Sequence, residues 1–142
     1  MAVRKFEYKD LEEVYEIARN SLEEDYAIDF FLYLWQFADA FLIAEKDGKV
    51  VGFIIAIKPS YQEMRILMLA VDKLYRRQGI GSNLIRELIL RHPEIRKINL
   101  EVKVNNKEAI KFYKKHGFKI KEKIENFYTD GSSAYIMEKT LF

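Results

Sequence analysis

The residues of this chain whose types and spacing point most directly to chemistry are Arg76-Arg77-Gln78-Gly79-Ile80-Gly81-Ser82. Gly79 and Gly81 lack a Cβ, so the backbone there can turn sharply and press its N–H groups onto a bulky anion. Arg76 and Arg77 carry guanidinium groups well shaped for phosphate oxygens. The upstream run Ile66-Leu67-Met68-Leu69-Ala70-Val71 is continuously apolar, as a buried strand is, and downstream Ile80, Leu84, Ile85, Leu88 and Ile89 recur at helical spacing. The glycines therefore open a helix, whose unpaired first-turn donors and dipole add to the attraction. Residues 76–82 are expected to grip a pyrophosphate, against the alternative of an ordinary glycine loop with surface arginines. The pattern is neither Gly-x-x-x-x-Gly-Lys-Ser/Thr nor a three-glycine dinucleotide fingerprint followed by an acidic residue about 20 positions later.

The elements that must position this loop follow from periodicity. Val3 to Tyr8 alternates like a short strand, and Leu11, Val14, Tyr15, Ile17 and Ala18 form a helical stripe that runs out near Asn20. A second helix is expected over Ile28 to Phe37. Phe41–Ala44 and Val50–Ile57 read as strands joined by a hairpin at Asp47-Gly48, with Pro59 ending the second. A third long strand is expected from about Glu63 to Val71, and the helix after the glycines closes before Pro93. Ile98, Leu100, Val102 and Val104 alternate with Asn99, Glu101 and Lys103, a strand with one apolar and one solvated face. Asn105 and Glu108 suit the start of a following helix as a capping box, and Gly117 suits its end. Phe118–Ile124 and Ala134–Leu141 complete the chain as a strand pair around Thr129-Asp130-Gly131-Ser132. The expected architecture is a mixed sheet of about seven strands flanked by about four helices, an α/β (α+β) fold.

Composition narrows the function. The chain of 142 residues has the length of one domain spanning 1–142, with 49% hydrophobic and 32% charged residues, as in globular proteins. It has no cysteine, which excludes thiol catalysis and fits a reducing compartment. Two histidines, His92 and His116, both placed like helix-terminus residues, speak against a histidine metal cluster. A net charge of +2 is too small for a phosphate-backbone binder. No apolar stretch reaches the roughly 18 residues that span a bilayer, and the first residues lack the apolar block of a secretory signal. The expectation is a cytoplasmic protein with neither a nucleic-acid nor a membrane partner and with no metal.

At Arg76, Gly79 and Gly81 the chain resembles the pyrophosphate loop of the GNAT superfamily of acyl-CoA transferases, Arg/Gln-x-x-Gly-x-Gly/Ala between a strand and a helix. Three later segments resemble the N-terminal acetyltransferase branch of that superfamily, which includes ribosomal-protein alanine acetyltransferases and protein N-α-acetyltransferases: 100–106 (Leu-Glu-Val-Lys-Val-Asn-Asn), 109–118 (Ala-Ile-Lys-Phe-Tyr-Lys-Lys-His-Gly-Phe) and 128–137 (Tyr-Thr-Asp-Gly-Ser-Ser-Ala-Tyr-Ile-Met). The resemblance implies a GNAT-like acyl-CoA N-acyltransferase fold with acetyl-CoA as co-substrate. It implies cofactor contacts from Leu69, Ala70 and Val71, whose backbone donors polarise the thioester carbonyl, from Arg76, Arg77, Gln78, Gly79, Ile80, Gly81 and Ser82, and from Asn106 and Tyr113.

Acetyl transfer from a thioester to an amine needs a neutral amine, a polarised carbonyl and an acid for the leaving sulfur. The resemblance assigns the acid to Tyr113, which otherwise reads as a core aromatic beside Ala109 and Ile110. It assigns the base to Glu101, acting directly or through a water; the plain reading of Glu101 is one polar residue on a solvated strand face. The likeness of Leu22-Glu23-Glu24-Asp25-Tyr26 to a Leu-Pro-Glu-Asn-Tyr loop makes Glu24 and Tyr26 substrate residues, with Glu23 standing where the family carries proline. Phe127-Tyr128 replaces a Tyr-Tyr pair that holds the peptide backbone, and Gly-Ser-Ser-Ala-Tyr replaces Gly-Glu-Asp-Ala-Tyr, which removes two acidic groups. The expected reaction is acetylation of the N-terminal α-amine of a protein or peptide, possible acceptors including a ribosomal protein, by a monomer or homodimer. The rival is transfer to a polyamine, amino acid or aminoglycoside; a non-catalytic acyl-CoA sensor is the reading of another class.

Overall fold

A computed structural model describes residues 1–22 and 24–141 of the chain; the position of Glu23, where the resemblance expected proline, lies outside them. Seven strands form one mixed sheet in the order β1-β2-β3-β4-β5-β7-β6. The chain divides into two compact units, Met1–Ile57 with Leu67–Pro93 and Lys58–Ile66 with Glu94–Phe142.

In the first unit, β1 (Ala2–Lys5) pairs antiparallel with β2 (Ala40–Lys46), and β2 pairs antiparallel with β3 (Lys49–Ser60). The hairpin turns at Asp47-Gly48, both at positive φ (53° and 75°), the backbone that two-residue hairpins prefer. Helices α1 (Leu11–Ser21) and α2 (Ile28–Phe37) bury Val14, Ile17, Ala18, Phe31 and Leu34 in a core with Phe41, Ile43, Phe53, Met68 and Ala70. Helix α3 (Ile80–Leu90) buries Ile80, Leu84, Ile85 and Leu88, the stripe read from spacing.

Of β4 (Glu63–Val71), the residues up to Ile66 belong to the second unit, where they run parallel to β5 (Lys97–Lys103) from Glu63↔Lys97 to Ile66↔Leu100. Strand β5 pairs antiparallel with β7 (Ala134–Thr140), and β7 with β6 (Lys119–Ile124). Helix α4 is Lys107–Lys115.

Four details depart from the sequence reading. β1 stops at Lys5 instead of Tyr8, because the Asp10 carboxylate accepts the Glu7 backbone N–H at 2.8 Å and Arg4 at 2.8 and 2.9 Å, which turns the chain into a 3-10 helix at Tyr8–Asp10. β3 continues through Pro59 to Ser60; its pairing with β2 ends at Ala56, so the missing proline N–H costs that ladder nothing. The N-cap of α4 is Asn106, not Asn105: its side chain accepts the Ala109 N–H at 3.2 Å, which puts Ala109 instead of Glu108 at the third helical position and dissolves the expected capping box. Asn99, read as solvated, is 5% exposed.

Gly52 was not singled out by sequence, yet it sets how closely α3 approaches the sheet. A Cβ there would sit 3.1 Å from the Ala70 carbonyl oxygen and 3.1 Å from Ile80 Cγ2. Gly52→Val is therefore expected to lower stability by about 1–3 kcal/mol through overpacking. The check is the urea unfolding midpoint, and an unchanged midpoint would show slack where α3 starts.

Candidate functional site

The first unit builds the anion loop. Past Val71 the Asp72 N–H donates to the Val51 carbonyl at 2.8 Å, and the Asp72 carboxylate accepts the Leu74 N–H at 3.0 Å, which winds Lys73–Tyr75 into a 3-10 turn. Arg76 Nε reaches back to the Val71 carbonyl at 3.4 Å. Arg77 (φ 63°) and Gly79 (φ 77°) both take the left-handed backbone, and Gly79 is the N-cap of α3. A Cβ on Gly79 would meet nothing within 4 Å, so its backbone, not crowding, calls for glycine. Arg76, Arg77, Gln78 and Gly79 are exposed, and Ile80 is buried, pinning the helix start to the core. Lys46 Nζ donates to the Gln78 side-chain oxygen at 2.8 Å, a further cation at the loop. The exposed Arg76 and Arg77 thus immediately precede the first turn of α3, where Gly81 and Ser82 are half-buried.

On β4, Met68 and Ala70 are buried, while Leu69 and Val71 lie half-buried on the alternate face. The β4–β5 register runs from Glu63 to Ile66, and all three proposed carbonyl-polarising residues lie beyond it on β4. In the segment joining α1 to α2, Tyr26 stacks on Phe30 at 5.3 Å between ring centroids and meets the buried Phe31 edge-on at 6.2 Å; Glu24 is half-buried. Tyr26 therefore has a packing role whatever else it does.

The second unit positions Tyr113. Helix α4 ends in a Schellman motif: the Phe118 N–H donates to the Tyr113 carbonyl at 3.0 Å, the Gly117 N–H to the Lys114 carbonyl at 3.1 Å, and Gly117 takes φ 88°. The hydrophobic contact that accompanies this motif is the Tyr113 ring against Phe118, which is 1% exposed, edge-on at 5.4 Å. Lys139 Nζ donates to the His116 carbonyl at 2.8 Å and closes the helix end. Backbone and ring are thus both held at the residue with proposed chemistry. Burial pushes the Tyr113 phenol above its ordinary value of about 10.

That direction sets a pH expectation. A raised value keeps the phenol protonated throughout neutral and mildly alkaline pH, and whatever stability the neutral phenol of the half-buried Tyr113 contributes is lost only as pH rises beyond about 10. With an α-amine acceptor, kcat/KM is expected to rise through about pH 8 as the amine loses its proton and to stay level to about pH 10. A falling limb between those values that disappears in Tyr113→Phe would show that Tyr113 ionises there.

Asn106 spends its side-chain oxygen on the cap of α4, where it accepts the Ala109 N–H, and Nδ2 is the side chain's donor. Glu101 stands on the polar face of β5, its Oε1 3.5 Å from Arg65 Nη1. Beside them Arg65 Nε donates to Asn99 Oδ1 at 3.0 Å, and Asn99 Nδ2 donates to Glu63 Oε2 at 2.6 Å. An open pocket of about 370 Å³ on this face takes in Glu63, Arg65, Asn99, Glu101, Ile136 and Glu138. Sequence reading missed Arg65 and Asn99. The available signal was the alternation of Glu63 and Arg65 with Met64 and Ile66, but their pairing with β5 depends on a parallel register that a single sequence does not display.

Phe127 and Tyr128 meet edge-on at 5.0 Å in the β6–β7 loop, with Phe127 exposed and Tyr128 half-buried. Lys103 Nζ lies 5.1 Å over the Tyr128 ring and 3.3 Å from Asp130. The two serines that replace acidic residues brace this loop. Ser132 donates to Asp130 through its hydroxyl at 2.6 Å and its N–H at 2.9 Å, and the Ser133 hydroxyl donates to Glu125 at 2.9 Å. Hydrogen bonds from Ser132, with Lys103 adding to them, hold the Asp130 carboxyl down at about 2. Among the described residues no group of three or more His, Cys, Asp or Glu side chains could hold a metal ion, and no helix is long and apolar enough to cross a membrane.

The sequence model of the acetyltransferase (GNAT) family matches residues 9–118. The N-alpha-acetyltransferase of Sulfurisphaera tokodaii is 33% identical, the alignment covering 98% of this chain and 92% of that one. The crystal structure of Ard1 from Thermoplasma volcanium superposes with a TM-score of 0.93 at 41% identity, over 99% of this chain and 97% of that one. The structure of the ribosomal-protein-S18-alanine N-acetyltransferase from Escherichia coli superposes with a TM-score of 0.84 at 26% identity, over 99% and 93%.

Proposed function

Because the chain belongs to the GNAT family of acetyltransferases, we propose that it moves the acetyl group of acetyl-CoA directly onto the N-terminal α-amine of a protein or peptide. The pyrophosphate rests on the N–H groups and guanidinium groups of Arg76–Ser82. Backbone donors of Leu69, Ala70 and Val71 polarise the thioester carbonyl, and Asn106 contacts the cofactor. The neutral amine attacks the carbonyl carbon, the C–N bond forms and the C–S bond breaks, with no covalent enzyme intermediate. The nitrogen gives up one proton, taken by Glu101 directly or through a water, and the departing thiolate gains one from the Tyr113 hydroxyl, so proton count and charge balance over the turnover.

The energetic reason to favour an α-amine lies in its pKa. Neutralising an α-amine of pKa near 8 at pH 7 costs about 1.4 kcal/mol, whereas a lysine amine near 10.4 costs about 4.6 kcal/mol, so a half-exposed carboxylate suffices as base only for the former. The observation that carries the choice of a peptide is the open pocket on the polar face of β5, which takes in Glu101. The resemblance gives substrate contacts to Glu24 and Tyr26 in the first unit and to Phe127 and Tyr128 in the second. The reading includes one domain over 1–142, a cytoplasmic location, a monomer or homodimer, and ribosomal proteins among the acceptors to be tried.

A second reading, transfer to a small cationic amine, is favoured by one feature, a cavity of about 600 Å³ whose lining sets four acidic residues, Glu12, Glu13, Glu16 and Asp72, against Lys49 and Lys73. Competition decides between them. With peptide and polyamine at equal concentration, the proposal expects peptide product to dominate, and polyamine product in excess would overturn it.

A further inference from the structure

We infer that Arg65 is a positioning residue that aims the Glu101 carboxylate; this rests on the reading of Glu101 as the base. Arg65 and Asn99 are partners in the parallel β4–β5 register, so their side chains rise from the same face side by side, with Glu101 two residues further along β5. The row is anchored at its far end: Glu63 accepts from Asn99 Nδ2 at 2.6 Å, and Asn99, 5% exposed, accepts from Arg65 Nε at 3.0 Å. The guanidinium is rigid and planar, so a hydrogen bond at Nε limits where its other nitrogens can lie. Nη1 lies 3.5 Å from Glu101 Oε1. The contact is an ion pair at one carboxylate oxygen, which leaves Oε2 for the acceptor amine or for a water. The neighbouring lysines are engaged elsewhere: Lys97 stands 3.9 Å from both Glu63 and Glu138, and Lys121 stands 3.1 Å from Glu138.

The Arg65 and Glu101 side chains are 40% and 29% exposed, so solvent screens the pair and it adds little to stability. Its effect is on direction. A carboxylate free to swing loses the alignment on which proton transfer depends, and misplacement by about 1 Å can cost about 100-fold in rate.

The test is a double-mutant cycle of Arg65→Met and Glu101→Gln, with kcat, both KM values and the urea midpoint measured on whichever amine the wild-type enzyme acetylates. Glu101→Gln is expected to lower kcat about 100-fold. Arg65→Met is expected to lower it about tenfold, with the KM for acetyl-CoA unchanged and the urea midpoint lowered only by the lost hydrogen bond to Asn99, the protein staying fully folded under assay conditions, and to have no further effect on kcat in the Glu101→Gln background. Arg65→Lys, which keeps the charge without the planar fork, should recover part of the loss. Full activity in Arg65→Met beside an impaired Glu101→Gln would overturn the inference while leaving Glu101 as base. Losses that multiply in the double variant, or a lowered urea midpoint that accounts for the Arg65→Met defect, would also overturn it. Full activity in Glu101→Gln would remove Glu101 as base and this inference with it.

Discussion

Tyr113→Phe is expected to lower kcat for acetyl transfer by about 10²–10⁴-fold while leaving acetyl-CoA affinity within about twofold. The variant removes one oxygen and keeps the ring. Its edge contacts with Phe118 at 5.4 Å and Phe112 at 5.3 Å survive, and so do the backbone hydrogen bonds that end α4, since none uses the hydroxyl. The missing group is a proton donor that burial keeps neutral. A thiolate leaving without a donor must carry its full charge into a desolvated site, and that is a transition-state cost which ground-state binding does not share. Stopped-flow or steady-state kinetics alongside a direct acetyl-CoA titration read the two effects separately. Wild-type kcat in Tyr113→Phe would reduce Tyr113 to a core aromatic and give the sulfur its proton from solvent.

The second large effect is expected at the anion loop. Gly79→Val should weaken acetyl-CoA binding by about 10–100-fold, because the N-cap backbone at φ 77° costs an ordinary L-residue about 1–2 kcal/mol and a β-branched one more. A chain that relaxes toward negative φ there turns its N–H away from the surface where the pyrophosphate would rest. The stability cost should be limited to that backbone strain: a Cβ at Gly79 meets open space, so the core under Ile80 and Leu84 is not overfilled as it is in Gly52→Val. Binding should also weaken with added salt, since Arg76 and Arg77 are exposed and screened by it. Isothermal titration at two ionic strengths checks both points. Unchanged affinity in Gly79→Val would make this turn an ordinary helix start.

The difference between these two glycines shows what a single sequence can display. Gly79 announces itself through local punctuation, glycine between an apolar strand and a helical stripe, and the structure places it at the N-cap of α3 with the left-handed backbone that only glycine adopts cheaply. Gly52 is demanded by Ala70 and Ile80, 18 and 28 residues away, and nothing near it in the sequence says so. Local order likewise made the element sequence, the limits of α2 and the Asp-Gly hairpin legible, because each rests on periodicity or turn chemistry within a few residues.

The polar row on β5 was misread for the opposite reason. Asn99, Glu101 and Lys103 alternate as a solvated face would, and only the parallel pairing with β4 brings Arg65 and Glu63 beside them and turns Asn99 into a buried, fully engaged amide. Asn105 and Asn106 illustrate a finer limit. Both are good caps by type, and the choice between them depends on where the chain leaves β5. The roles of Tyr113 and Glu101 came from resemblance. The geometry now adds a held ring and a raised phenol for the one and an ion pair on a polar row for the other.

The most direct test of N-terminal transfer is to incubate the enzyme with acetyl-CoA and a library of short peptides that vary in their first two residues and each carry an internal lysine, beside polyamines and aminoglycosides, and to locate the added acetyl group by fragmentation mass spectrometry. Acetyl is expected on the α-amine of a subset of peptides, with the internal lysines unmodified. Acetyl on internal lysines alone, or on the small amines alone, would contradict it.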